Sequence, residues 1–354
     1  MKQPFTKFFA ILFIGLLIFL IYLCLTVGVN EISNILNRLN LRDYMSYYAM
    51  AIMAVFLSVL FYSMSWNKLM ETLGIKIGLK KVYLYCWLGV FVDSVIPFET
   101  VSGEITRAFF VQRETNEQPG KIVASIVAHR IILTFITLSS LIISSILLII
   151  TYGVSISMIY PLVALILCSV TLLILLLLVS LRKGIAEKII DPILDFIVSL
   201  SKGRINLPET RSMIYMNLQC FYNDFRHLSG RRWRLILAML YNFLAWLLHL
   251  SVFFLTFYAI NFPEISSKIY ETIIVYSINM ALQTSPISLA PGLIEIVTMN
   301  LYALLGFNMA ISGTATLFIR VATFWLPVIF GGIIAQWVGV KNLLTQTVKA
   351  TSTC

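Results

Sequence analysis

Seven charged residues lie within stretches of chain that otherwise carry almost no charge: Asp93, Glu99, Glu104, Arg107, Arg130, Glu295 and Arg320. An ionised group near the centre of a membrane-crossing helix costs roughly 2.5–3.5 kcal/mol to insert, so such residues pair with one another or line a wet cavity. Glu104 and Arg107, at i and i+3, share one helix face just after Gly103, and Glu295 is the third residue after Gly292. A helix restarting at each glycine would aim its N-terminal amides at the break before it, a place that favours an anion. Arginines suit a phosphate, because the guanidinium is a planar fork of donors, and carboxylates suit an accompanying amine or hydroxyl. His129 beside Arg130 is a further lining candidate, although neighbouring helical positions diverge by about 100°. The same charges would also serve as an ion-paired lock between helices. Both readings stay open.

The elements that must carry these residues follow from composition. The chain has 354 residues, 59% of them hydrophobic and only 12% charged, about half the charge usual in a soluble domain. That excludes an ordinary soluble protein, and the hydrophobicity excludes a disordered one. Uninterrupted apolar segments run over about 8–29, 44–66, 122–150, 158–181, 234–260 and 310–339. Each approaches or exceeds the ~20 residues that cross a bilayer. The first follows Lys2 and Lys7 like a signal peptide, but it is too long for one and no small-x-small cleavage site follows, so it reads as a retained span. Two further segments, 82–121 and 269–308, are apolar at both ends and broken in the middle by Pro, Gly and charge. The expected fold is an all-α polytopic membrane protein with about six full spans and two broken or re-entrant helical hairpins. A single transmembrane domain fills residues 1–354.

The two hairpins resemble each other. Pro97 and Gly103 form P-x5-G with Arg130 lying 27 residues after the glycine; Pro286 and Gly292 form a second P-x5-G, with Pro291 inside it and Arg320 lying 28 residues on. Lys and Arg collect in 67–81 and in 182–234, which alone holds ten, whereas 151–157 has none and 261–268 only Lys268. Cytoplasmic loops are the basic ones, so both termini fall inside and the two hairpins enter from opposite faces. This describes an inverted repeat, about 44–150 and 234–340, the architecture in which many transporters build a midplane site from broken helices. Chance spacing of Pro and Gly is the plainer alternative. Between the repeats, the loop 182–233 carries apolar stripes (Ile185, Ile189, Ile193, Phe196, Ile197; then Met213, Met216, Cys220, Phe221) that fit amphipathic helices on the cytoplasmic leaflet. Its basic excess would attract anionic headgroups, or be no more than a positive-inside loop.

Other chemistries find no footing. The five cysteines are scattered, the three histidines are far apart, and no Gly-rich phosphate loop or G-x-S-x-G occurs. No metal, no cofactor and no nucleic-acid partner is expected.

At the hairpins the sequence resembles the transmembrane region of the lysylphosphatidylglycerol synthase-flippases, also found as free-standing flippase-like proteins. The first motif is carried by Asp93, Pro97, Gly103, Glu104 and Arg107, followed by Arg130; the second runs from Ser285-Pro286 through Pro291-Gly292 to Glu295. A third matches Arg320, Trp325, Pro327 and Gly331. The resemblance spans Phe8 to about Val340. Departures are Asp93 where Asn is usual, His129 where Glu is usual before Arg130, and Ile294 where a Gly is common. They bear on which lipid is handled. The soluble aminoacyl-transferring domain of the bifunctional members has no counterpart in this sequence, so the resemblance implies movement of lipid rather than its synthesis.

Three functions are therefore in play. The leading one is a polar-lipid translocase of the cell membrane, its headgroup passing a charged cavity, with Arg107, Arg130 and Arg320 for the anion and Glu104 and Glu295 for donors. The second is a secondary transporter for a small solute or ion, which shares the inverted repeat. The third is a membrane-embedded transferase on a lipid-linked sugar, with Asp93 and Glu99 as carboxylates, although no D-x-x-D cluster occurs. A transporter rather than an enzyme is expected, with membrane lipids of anionic or zwitterionic headgroup as partners.

Overall fold

Backbone polar groups that enter hydrocarbon must be satisfied within the protein, and a helix does so within one segment. The computed structural model describes residues 2–95, 102–152, 156–182, 191–192, 207–284 and 292–351, and among them every regular element is helical. In chain order, α1 (Lys2–Thr26) bends by 93° at Gly28 into α2 (Val29–Asn37). After α3 (Leu41–Thr72) come two shorter arms, α4 (Leu79–Val95) and α5 (Ser102–Thr115), then α6 (Pro119–Tyr152) and α7 (Ile156–Leu181). α8 (Leu207–Gly230) lies in the polar loop, and α9 (Arg232–Ala259) opens the second half. A 3-10 turn at Pro263–Ser267 leads to the arms α10 (Ile269–Thr284) and α11 (Leu293–Leu304). Finally α12 (Met309–Arg320) passes through a π turn, Val321–Trp325, into α13 (Leu326–Thr351).

Among the described residues five helical stretches are long and apolar enough to cross a membrane, and there are six if the bent α1–α2 pair is counted as one span. They coincide with the six apolar segments of the sequence. The four arms are shorter: 17 and 14 residues in α4 and α5, 16 and 12 in α10 and α11. At 1.5 Å per residue they reach about 18–25 Å, less than the ~30 Å hydrocarbon core. Each pair of arms is closed at one end. Lys81 at the start of α4 pairs with Glu114 at the end of α5, and Lys268 before α10 donates to the carbonyls of Leu305 and Gly306 at 3.5 and 3.2 Å. Both hairpins thus return to the end from which they set out. The tip residues Pro97, Glu99, Pro286 and Pro291 lie outside the described residues.

α3 and α9 run antiparallel along each other. The Ser58 hydroxyl donates to the Ala245 carbonyl at 3.0 Å and the Ser65 hydroxyl to the Ala238 carbonyl at 2.8 Å, while Tyr47 stacks on Tyr258 at the far end. Small residues on this seam, including Ala51, Ala54, Ala238 and Ala245, are buried and let the two backbones approach. Around it the arms exchange partners: α10 packs on α6, and α4 packs on α13. α7 and α8 lie against α6. The second stripe expected in the polar loop divides on α8: Phe221, with Phe225 and Leu228, is buried, whereas Met213 and Met216 are exposed. A stripe in sequence cannot say which part of it meets a neighbour. The first stripe, Ile185 to Ile197, lies outside the described residues.

Candidate functional site

The break at each hairpin is organised by a glycine and a carboxylate. In the first, α5 begins where Gly103 lies against the Gly89 backbone and the Asp93 side chain, with no room for a β-carbon. Asp93 Oδ1 accepts from the Gly103 amide at 2.6 Å and from the Ser102 hydroxyl at 3.1 Å. In the second, Gly292 adopts φ +94°, which side chains disfavour, and its amide donates to Glu295 Oε2 at 2.8 Å. Both glycine amides, expected from the sequence to favour an anion at the tips, are met by carboxylates of the protein itself. Asp93 and Glu295 therefore cap helices whose first amides have no intrahelical partner.

The arginines complete the arrangement. Glu295 Oε1 accepts from Arg320 Nε at 2.6 Å, and both residues are buried, 6% and 5% exposed. The Arg320 guanidinium lies over the Phe324 ring, its carbon 4.5 Å from the centroid. The π turn that presents Phe324 has a local cause: Pro327 has no N–H to offer the Thr323 carbonyl one turn back, so the helix widens just before it. In the first half, Glu104 Oε1 stands 3.5 Å from Arg130 Nη1 and 3.9 Å from Arg107 Nη2. Arg107 is buried beneath Trp66 and Tyr62, its guanidinium carbon 4.9 and 5.4 Å from their ring centroids. Arg130 and Arg320 each meet, among the described residues, a carboxylate of the hairpin that precedes them in sequence.

These groups enclose a cavity of about 220 Å³. Five of the sequence candidates line it: Asp93, Glu104, Arg107, Arg130 and Arg320. Glu295 stands behind Arg320 rather than in the wall, and His129 is buried with its ring centroid 4.4 Å from that of Tyr62. Glu99 lies outside the described residues. The wall also holds Tyr62, Ser94, Gln283 and Thr323, which the sequence reading passed over. Gln283 had a signal, for it lies three residues before the tip proline of the second hairpin, much as Asp93 lies four before that of the first. It donates to Asn279, whose amide nitrogen donates to Thr298 on α11 at 2.6 Å, so the second pair of arms is stitched together by polar contacts. Thr323 follows Arg320 by three residues and could have been found from that spacing. Tyr62 had none, being one aromatic among many. Among the described residues, no three His, Cys, Asp or Glu side chains come together as a metal site.

A larger groove, about 500 Å³, lies between α6, α7 and α8, but its walls are almost wholly apolar and none of the charged set reaches it. Five of the charged set line the smaller cavity instead. There, guanidinium groups stand beside carboxylates, and all are largely buried, where such contacts are stronger than at a surface. The arrangement suits a ligand that carries an anion together with hydrogen-bond donors.

Three archaeal proteins named UPF0104 membrane proteins are similar to the chain over nearly its full length. That of Pyrococcus horikoshii is 24% identical over 343 residues, covering 93% of this chain and 96% of its own length. That of Methanocaldococcus jannaschii is 23% identical over 338 residues (94% and 95%), and that of Methanothermobacter thermautotrophicus 21% identical over 320 (90% and 91%). The family profile described as the lysylphosphatidylglycerol synthase TM region matches residues 9–331, almost the whole helical body that holds both hairpins and the cavity. The chain is a multi-pass membrane protein and belongs to the lysylphosphatidylglycerol synthase transmembrane-region family.

Proposed function

We propose that the protein moves a phospholipid or glycolipid headgroup between the leaflets of the cell membrane, as a transporter and not as an enzyme. One observation carries the proposal: a cavity of about 220 Å³, walled by three arginines and two carboxylates, inside a chain whose outer helix faces are apolar. That volume lies below the 300–1,000 Å³ that encloses a drug-sized ligand, so it suits a headgroup whose tails stay in the bilayer. Arg107, Arg130 and Arg320 supply contacts for a phosphate, and the carboxylates accept from an amine or hydroxyl beside it. Family membership supports a flippase-like role. The antiparallel α3–α9 pair and the exchanged packing of α4 and α10 support an inverted repeat with both termini inside, a scheme able to offer the cavity to either leaflet in turn.

The test is reconstitution of the purified protein into vesicles that carry fluorescent phospholipids and glycolipids, with leaflet exchange followed by chemical quenching. Exchange above that of empty vesicles, lost on Arg107→Ala, is the expected result. Exchange no faster than in empty vesicles for every lipid tried would overturn it, and uptake of a soluble anion without lipid exchange would put secondary solute transport in its place.

A further inference from the structure

The two halves of the site are not equally closed. In the second, Glu295 has both oxygens engaged at short range, by Arg320 Nε at 2.6 Å and the Gly292 amide at 2.8 Å. In the first, one oxygen of Glu104 stands between Arg130 Nη1 at 3.5 Å and Arg107 Nη2 at 3.9 Å, both beyond the 2.7–2.9 Å of a charge-assisted hydrogen bond. Arg107 is 4% exposed, and its Nη1 is buried without a hydrogen-bond partner. A buried donor left unmet is costly, so an acceptor that engaged it would be favoured. Glu104 and both arginines line the cavity, whereas Glu295 does not.

We infer that the Arg107–Arg130 corner is the phosphate subsite of the cavity, and that Glu104 is an exchangeable counter-ion which holds the corner when it is empty and yields it when a phosphate enters. The inference rests on the reading of the cavity as a headgroup site and deepens it. A tetrahedral phosphate is larger than a carboxylate and has more acceptor oxygens, so it can span two guanidiniums that one oxygen of Glu104 touches only at long range. No bond is made or broken; a carboxylate leaves two cations and a phosphate takes its place. The released Glu104 carboxylate is then free to accept from an amine or hydroxyl of the same headgroup. The Arg320–Glu295 pair, engaged on both carboxylate oxygens, stays in place as a lock on the second hairpin. Exchange also keeps the cost of releasing the ligand low, because the departing phosphate is replaced by an internal anion beside Arg107.

The experiment measures binding by the detergent-purified full-length protein of a short-chain phosphatidylglycerol and, separately, of inorganic phosphate, with thermal unfolding followed in parallel. Removing an internal competitor tightens binding, so Glu104→Gln should bind the phospholipid about tenfold more tightly than the unaltered protein. Glu104→Asp, whose shorter side chain retreats from both arginines, should move in the same direction and serves if the Gln variant does not fold. Glu295→Gln should lower the melting temperature without tightening binding. Unchanged or weaker binding by both Glu104 variants, or equal tightening by Glu295→Gln, would overturn the exchange while leaving the headgroup reading intact. No binding of either probe by the unaltered protein would overturn both. Tightening toward inorganic phosphate alone would uphold the exchange and make a free anion its source.

Discussion

At the scale of single residues the Arg320–Glu295 contact decides most. Its members lie 25 residues apart in sequence, both are buried, and Glu295 also caps the Gly292 amide. Removing one partner of such a pair leaves an uncompensated charge in a dry place and costs roughly 3–5 kcal/mol. Arg320→Ala should therefore lower stability by about that much, read as a fall in the melting temperature of the purified protein. Adding Glu295→Ala removes the stranded carboxylate but also takes the acceptor from Gly292, so the double variant should recover part of the loss and not all of it. Full recovery would mean that the cap contributes nothing. Arg320→Lys keeps the charge and loses the fork, and a lysine cannot hold Glu295 through Nε while presenting two further nitrogens.

The elements carry the next constraint. Both breaks depend on a glycine, though for different reasons. At Gly103 a β-carbon would strike the Gly89 backbone and the Asp93 side chain, and at Gly292 the backbone itself has φ +94°. Gly103→Ala should force α4 and α5 apart, uncover the cap on Asp93 and abolish lipid exchange. Gly78→Ala, where nothing lies within 4 Å of the added carbon, should leave exchange unchanged and serves as the control. The vesicle assay reads both. A Gly103→Ala variant as active as the Gly78→Ala control would show that the close approach of the two arms has no part in function. The breaks were visible in the sequence because Pro and Gly are local signals that act on the backbone at their own position. Which group closes the first break was not, since Asp93 reaches forward ten residues, whereas Glu295 reaches back only three.

For the whole molecule, the antiparallel α3–α9 pair sets the ends. Ser65 beside Ala238 places the Lys68–Lys81 region and the Arg231–Arg234 cluster at one end, and Tyr47 beside Tyr258 places the Pro263–Ser267 turn at the other. By the charge bias of the loops, the proposed orientation puts the first end in the cytoplasm. In a background without native cysteines, one introduced at exposed Ser266 should react with an impermeant thiol reagent in intact cells, and one at exposed Lys76 only after permeabilisation. Labelling of position 76 in intact cells would invert the proposed orientation, and labelling of both would break it.

Membrane insertion, the number of long spans and the position of the two breaks were determined by the sequence alone. Each depends on a local property: the length of an apolar run, or a proline or glycine acting on its own backbone. The family, too, was legible, because its motifs lie at those breaks. What only the tertiary structure decided is how the charges are shared among distant segments. Insertion cost says that Arg107, Arg130 and Arg320 must be offset, but not by which carboxylate, since the choice depends on where α5, α6, α11 and α12 come to lie. Asp93 became a helix cap because the folded chain brought it to the Gly103 amide, whereas Glu295 caps Gly292 from within its own first turn. Tyr62, with no polar motif around it, became part of the wall through the packing of α3. Periodicity and composition act over a few residues, whereas pairing in a low-dielectric interior is a contest among every charge the fold assembles there.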